Sequence, residues 1–274
     1  MSKPEIKIIQ STGATRVKRL IWDIEVSPNV VLAFRAGYDQ NINHDAIILE
    51  RKVICIGYKW EDDDETHVLI WDKNQDDKEL LRKFLVVANE ADELIAHYGD
   101  KFDLPWFRGR CLIHGFEPLP PYKTVDTKAW SSKNFNFNSN KLDYLGSVLG
   151  YGKKEKMEFD DWKKILIDKC RVSLKKMCDY CVRDVGLLEL VYKRFAPYMK
   201  PKTHAGVFSG HDRWSCSHCG SDDVVKSKTR VTSNGTRQHQ MKCSSCNSYS
   251  TISDTTFKQY EEMKKKKKGK GKRC

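Results

Sequence analysis

The sequence predicts a mixed α/β domain followed by a small cysteine-paired module, and three observations carry that prediction. Short β-rich apolar runs joined by polar turns come first, helical and strand-like segments alternate after them, and four of the ten cysteines stand in two Cys-x-x-Cys pairs near the C-terminus. The order reads as an antiparallel meander continued by strands that alternate with helices, so that one mixed sheet is flanked by helices.

Val17 to Val26 is the first segment with strand character, closed by the turn Ser27-Pro28-Asn29. Val30 to Phe34, Val53 to Trp60 and His67 to Trp71 are further apolar runs of strand length, making a three- or four-stranded meander. From Asp76 to Ala91 the period changes, with Leu80, Leu81, Phe84, Leu85 and Val87 at helical spacing. Leu94-Ile95-Ala96 is a short buried strand, Leu104 to His114 a helix, and the residues around Val125 another short strand beyond Pro118, Pro120 and Pro121. Asn134 to Asn140 reads as an exposed polar loop. Leu142 to Leu149, Phe159 to Cys170 and Val172 to Phe195 read as helices. Residues 1–16 are then an N-terminal extension, 17–196 the α/β domain, 197–212 a linker, 213–260 the cysteine module and 261–274 a disordered basic tail.

Hydrophobic residues at 39% and aromatics at 11% suffice for a core, which excludes a wholly disordered chain. No apolar run reaches the ~18 residues of a membrane-spanning helix. Met1 to Gln10 lacks the apolar stretch of a secretory signal, so a cytoplasmic setting with reduced thiols is expected, nucleoid-associated in a bacterium or virus and nuclear only in a eukaryote. The net charge of +12 is uneven: 33 basic against 31 acidic residues up to position 200, and 16 against 6 beyond it. A positive field on the last quarter suits a polyanion, either nucleic acid or an anionic membrane surface.

Asp23 and Glu25 stand two apart in an otherwise apolar strand, Leu20 to Val26, so both carboxylates leave from one face. On an exposed edge strand they need no partner; side by side and buried, they need a cation. Asp103 follows Phe102 at the start of a helix, where an aspartate serves as a cap or as a ligand. Tyr180 and Asp184 lie four apart on one face of the most regular helix.

Taken together these residues resemble the three motifs of the DEDD (DnaQ-like) 3′→5′ exonuclease superfamily, in its tyrosine branch. Asp23-Ile24-Glu25 is similar to the first motif, Phe102-Asp103 to the second and Tyr180-Cys181-Val182-Arg183-Asp184 to the third. Leu104-Pro105 after the second motif looks like the exonuclease domain of family-B DNA polymerases, and Lys141 to Leu145 with Leu149-Gly150 and Lys153-Lys154 resembles its connecting segment. The sequence departs from many relatives just before Phe-Asp, where His97-Tyr98-Gly99 replaces a stretch that carries asparagine. The resemblance covers about residues 17–195. It implies an RNase H-like mixed sheet, antiparallel meander plus parallel strands, and two Mg²⁺ or Mn²⁺ ions about 4 Å apart at an in-line phosphoryl displacement. It further implies that Asp23, Glu25 and Asp184 ligate the first ion, that Asp23 bridges to the second with Asp103 in support, and that Tyr180 orients the attacking water.

Cys216-Ser-His-Cys219 and Cys243-Ser-Ser-Cys246 can each present two thiolates, and two such turns complete one structural Zn²⁺ site, a zinc ribbon. His218 and His239 are the alternative ligands, and an exchangeable dithiol is the redox alternative. Lys226, Lys228, Arg230, Arg237 and Lys242 could meet phosphates, with Trp214 or Tyr249 stacking on bases. Three functions of different class remain: a 3′→5′ exonuclease on single-stranded or frayed DNA (RNA being the alternative polymer), a structure-specific RNase H-like endonuclease, and a non-catalytic zinc-ribbon adaptor. A polymerase domain does not fit in 274 residues, so a proofreading role implies a polymerase or repair protein in trans.

Overall fold

A computed structural model describes residues 16–35, 37, 41–61, 63–152 and 157–270, with side chains to 266. Its chain forms two compact units, one spanning Lys18–Phe195 and the other built from Ala196 onward. Lys153-Lys154, most of the N-terminal extension and the last four residues lie outside the described residues.

In the first unit β1 (Arg19–Val26) is followed by β2 (Val30–Val31), β3 (Ile47–Leu49), β4 (Val53–Trp60), β5 (His67–Ile70) and α1 (Lys78–Asn89). Then come β6 (Glu93–Ala96), α2 (Asp103–Ile113), β7 (Thr124–Asp126), α3 (Thr127–Asn134), α4 (Leu142–Val148), α5 (Phe159–Leu166) and α6 (Arg171–Phe195). The five-stranded sheet has the order β5-β4-β1-β6-β7. The pairs β5·β4 and β4·β1 are antiparallel, while β1·β6 and β6·β7 are parallel, as the mixed-sheet expectation requires.

Alternation along β1 divides its side chains between two layers. Leu20, Trp22 and Ile24 enter a core with Leu80, Leu81 and Phe84 of α1 and Leu104 and Phe107 of α2. Trp22 stacks on Phe84 with ring centroids 4.9 Å apart. Asp23 and Glu25 point to the opposite side, where Ile54 and Cys55 of β4 meet Met177, Cys178 and Cys181 of α6. Gly57 lies opposite Asp23 in the register. A Cβ at Gly57 would come within 2.9 Å of Cys181 Sγ and 3.1 Å of Val185 Cγ2, so only glycine lets α6 lie this close to the sheet.

One strand expectation changes. Val30 to Phe34 does not extend the meander: only Val30–Val31 pairs, with β3 in a separate two-stranded ribbon, and Leu32 and Phe34 remain exposed with no core to join. The polar segment Thr127–Asn134 is helical although its sequence lacks an apolar stripe, because Asp126 caps it by accepting the Ala129 N–H at 2.9 Å.

The second unit contains the short helix α7 (Ala205–Phe208), β8 (Val224–Val231), β9 (Arg237–Cys243), β10 (Tyr249–Ser253) and α8 (Asp254–Lys270). Its strands form an antiparallel sheet in the order β10-β9-β8. The expected disordered tail from residue 261 is instead helical as far as Lys270. Phe257 and Tyr260 explain this: three apart, they lock the first turns of α8 into a core with Trp214, Val224, Met241 and Ile252, and lysine then propagates the helix readily. Among the described residues no helix is long and apolar enough to cross a membrane.

A buried ion network ties the layers of the first unit together. Asp77, fully buried at the start of α1, accepts two hydrogen bonds from Arg110 of α2 at 2.8 Å each, and also binds His114 at 2.7 Å and the Val53 N–H at 2.9 Å. Asp76, Asp77 and His114 have ligand atoms close enough for a metal, but both Asp77 oxygens are already taken by the guanidinium. Burial alone would raise the Asp77 carboxyl; the bonds from Arg110, His114 and Val53 hold it below the usual carboxylate range. Removing one partner of such a pair strands the other, so Asp77→Ala is expected to lower stability by about 3–5 kcal/mol in urea unfolding. Because the folded carboxyl ionises more readily than the unfolded one, its contribution is present above the unfolded value of about 3.9 and is lost as pH falls through the lower folded value. Acid titration of native and Asp77→Ala chains should therefore converge below that range.

Candidate active site and metal centre

Asp23 and Glu25 from β1 and Asp184 from α6 place one carboxylate oxygen each within 4.8 Å of the others. Asp184 is only 3% exposed, so the group gathers three like charges at the edge of the core. Such a cluster repels itself, and a divalent cation with hard oxygen preference relieves the repulsion. The donor set fits that ion class. The alternative of a solvent-exposed edge strand does not hold, since β1 is the central strand of the sheet.

Asp103 opens α2 and is 1% exposed. Its carboxylate does not stand as the helix cap, which is Phe102; its Oδ1 reaches across to β1 and accepts the Ile24 N–H at 3.1 Å, between the two acids of that strand. Burial pushes its carboxyl up to about 7 against the bonds from its own and the Ile24 N–H, with the charge of Asp126 adding to the rise. Asp103 thus lies against the strand that carries Asp23 and Glu25 without joining the tight trio.

A cleft of about 560 Å³ opens beside this trio, and its lining includes Asp23, Tyr180, Tyr98, Lys128, Lys141 and Trp162. Tyr180 stands one turn before Asp184 on α6 and turns into the cleft. The loop after β6 is shaped by Asp126, which accepts the N–H groups of Tyr98 at 3.1 Å and Asp100 at 3.3 Å. His97 bridges Thr127 and the Asn140 carbonyl at 2.9 Å each. Tyr98 adopts a left-handed φ of 73°, an uncommon conformation for a bulky residue, held by the Asp126 bonds to the loop. The Lys128 ammonium sits 3.8 Å from the centroid of the Tyr98 ring. A smaller hollow of about 370 Å³ is lined by Arg51, Phe102, Phe159, Met157 and Trp162, the last two shared with the first cleft. Lys128, Tyr98 and Trp162 were not legible as site residues, because each is set in an unremarkable local sequence and only the fold brings them together.

In the second unit the four sulfurs of Cys216, Cys219, Cys243 and Cys246 lie within 4.8 Å of one another. Cys216 Sγ is 3.6 Å from Cys246 Sγ, and Cys219 Sγ is 3.7 Å from Cys243 Sγ. These are far from a disulfide bond of about 2.05 Å, but match the roughly 3.8 Å edge of a tetrahedron with 2.3 Å metal–sulfur bonds. The His218 and Cys219 N–H groups both point at Cys216 Sγ. Burial opposes ionisation of Cys216, but those N–H groups and the Ser248 hydroxyl bring its thiol down to about 7. Cys219 is pushed up by burial and then by the Cys216 charge, and burial raises Cys246 as well. One thiolate discourages the next, so a cation is what allows all four to ionise. His239 is excluded as a ligand: it is buried, stacked on Phe257 at 3.9 Å and bonded to Asp254 at 2.9 Å. His218 stands outside the sulfur cluster.

The five cations expected to act together are divided by the ribbon sheet. A register shift between Lys226 and Lys228 puts Lys226 on the α8 side, with its ammonium 4.9 Å from the Phe257 ring, and Lys228 on the other side. Arg230 and Lys242 share the side of Lys228, while Arg237 falls on the α8 side. Trp214 cannot stack on a base, being 4% exposed in the ribbon core; Tyr249 is 54% exposed.

Two comparisons with known proteins bear on the first unit. Residues 48–168 match a family model described as a predicted 3′-5′ exonuclease related to the exonuclease domain of PolB. That match includes Asp103 but not Asp23, Glu25, Tyr180 or Asp184. Among solved structures, the family B DNA polymerase from the hyperthermophilic archaeon Pyrobaculum calidifontis aligns with a TM-score of 0.52 at 14% identity, over 71% of this chain. The aligned part is 26% of the polymerase, so the chain spans about a quarter of that protein, and the likeness shows the fold. No curated protein matches. Residues 48–168 are thus similar to a predicted exonuclease family, and the polymerase likeness shows the fold of the first unit.

Cys216→Ser removes one corner of the sulfur tetrahedron. If the cluster holds a metal, the variant is expected to bind none there and to lose cooperative melting of the second unit, while the first unit keeps its own transition, as metal analysis and calorimetry on the full chain would show. Retention of metal and of both transitions would exclude the four-sulfur site.

Proposed function

We propose that this chain is a metal-dependent 3′→5′ exonuclease that hydrolyses phosphodiester bonds of single-stranded or frayed DNA, with RNA as the alternative polymer. The convergence of Asp23 and Glu25 of β1 with Asp184 of α6, far apart in the chain, beside a cleft with two lysines, is the observation that carries this reading. Asp23, Glu25 and Asp184 would hold one Mg²⁺ or Mn²⁺, and Asp23 with Asp103 a second; these ions supply charge neutralisation at phosphorus and a more acidic water.

The chain's own residues supply the rest. The Tyr180 hydroxyl positions the attacking water by hydrogen bonding. Lys128 and Lys141 face the backbone phosphates, and the rings of Tyr98 and Trp162 take the terminal base. A duplex end presents its bases paired and stacked, so the strand must fray before its last nucleotide enters. In the second unit the four cysteines hold a structural Zn²⁺, whose closed shell leaves no position for substrate. A reducing compartment such as the cytoplasm keeps those thiols available, and a polymerase or repair factor is the partner we propose in trans.

Oligonucleotides labelled at either end, incubated with Mg²⁺ or Mn²⁺, should release mononucleotides progressively from the 3′ end. Discrete internal fragments would mark an endonuclease instead, and binding without cleavage an adaptor. Asp23→Ala should cut the rate by at least ~10²–10³-fold, the loss typical of one electrostatic contributor to a transition state, while leaving binding in place. Tyr180→Phe should lower kcat with little change in KM. Full activity in the Asp23→Ala chain would overturn the site.

A further inference from the structure

The zinc-ribbon sheet has two unlike faces. Facing α8, Val224, Met241, Cys243 and Ile252 are buried, and His239 stacks on Phe257. Cross-strand partners share a face, so the register assigns the opposite side in rows. Tyr249, Lys242 and Val225 form one row, Thr251, Gln240 and Lys228 the next, and Ser253, Gln238 and Arg230 the last. Tyr249 and Val225 are 54% and 42% exposed, and Lys228 and Arg230 are exposed as well. None of the three strands carries an aspartate or glutamate.

We propose that this outward face is a platform for single-stranded nucleic acid. Three cations, two amide side chains and no carboxylate are complementary to a phosphate backbone, and the exposed Tyr249 ring offers a surface for one base. The arrangement depends on the irregularity between Lys226 and Lys228: with regular alternation those two lysines would share a side, and the shift sends Lys226 to α8 and Lys228 outward. The proposal rests on the nuclease reading only for the choice of polyanion, and it is tested by binding rather than by cleavage.

The full chain carrying Asp23→Ala, which keeps the probe intact, is titrated with a fluorescent single-stranded oligonucleotide at several salt concentrations. Replacing Lys228, Arg230 and Lys242 by glutamine together should weaken binding about tenfold and reduce the log–log salt slope by about 2, since each phosphate contact on a single strand contributes roughly 0.7. Tyr249→Ala should weaken binding with the slope unchanged. The matched control, Lys226→Gln with Arg237→Gln, removes charge from the α8 side and should leave the slope intact. Zinc content and the ribbon melt check that each variant is folded. Equal losses from both faces, or none from the outward one, would overturn the proposal, as would a stronger salt-dependent affinity for phosphatidylserine vesicles lost in the same triple variant. An oligonucleotide that binds as expected to a native chain lacking cleavage would retain the platform while removing the exonuclease.

Discussion

Three carboxylates held within 4.8 Å of one another repel unless a cation lies among them, and much of the first unit is arranged to hold them there. Asp23 and Glu25 reach that spot because β1 is central and its even-numbered side chains are committed to the α1/α2 core, leaving the odd ones to face α6. Asp184 reaches it because α6 lies almost against the sheet over Gly57. A strand flip or a raised helix would separate the acids, so packing on both sides of the sheet is a condition of the site's electrostatics. Asp103 belongs to the same logic from the other direction, for its oxygen is fixed to the backbone of β1 itself.

The cost of gathering like charge is offset by rigidity elsewhere in the unit. Asp77 joins β4, α1 and α2 through four hydrogen bonds, and Arg19 joins β1 to Glu93 of β6 and to Glu61 with bonds of 2.9 and 2.8 Å. Both networks are buried, so neither can relax into water when a neighbour moves. The loop between β6 and α2 is held in the same manner, with Asp126 accepting two of its N–H groups and thereby fixing the left-handed Tyr98 against Lys128. Rigid borders of this sort let a cleft lined with aromatic rings and lysines face the acids with a defined shape.

The second unit solves the mirror problem on a smaller scale. Its sulfurs are too close to ionise together without a cation and too far apart to be disulfides, which leaves a tetrahedral metal as the arrangement that fits. Phe257 and Tyr260 then cover one face of its sheet, and the Tyr260 hydroxyl donates to the Val224 carbonyl at 2.7 Å. With one face sealed, every cation that the register turns outward is left to solvent or to a polyanion.

Local periodicity determined the sheet's central strands, the helices α1, α2 and α6, and the two Cys-x-x-Cys turns, because each is written in the spacing of neighbouring residues. The same spacing marked Asp23 with Glu25 and Tyr180 with Asp184 as pairs on common faces. It did not reveal the departure of Val30–Val31 into a separate ribbon, nor the helix at Thr127, which rests on a cap and carries no apolar stripe. Lys128, Tyr98 and Trp162 entered the cleft only through the fold, and the sorting of the ribbon's cations depended on one irregular residue between Lys226 and Lys228. Sequence alone thus determined which side chains share a face over a few residues, while tertiary structure decided which faces meet. That second question turns on close approach at Gly57, on a register shift and on buried hydrogen bonds between distant segments, none of which has a period along the chain.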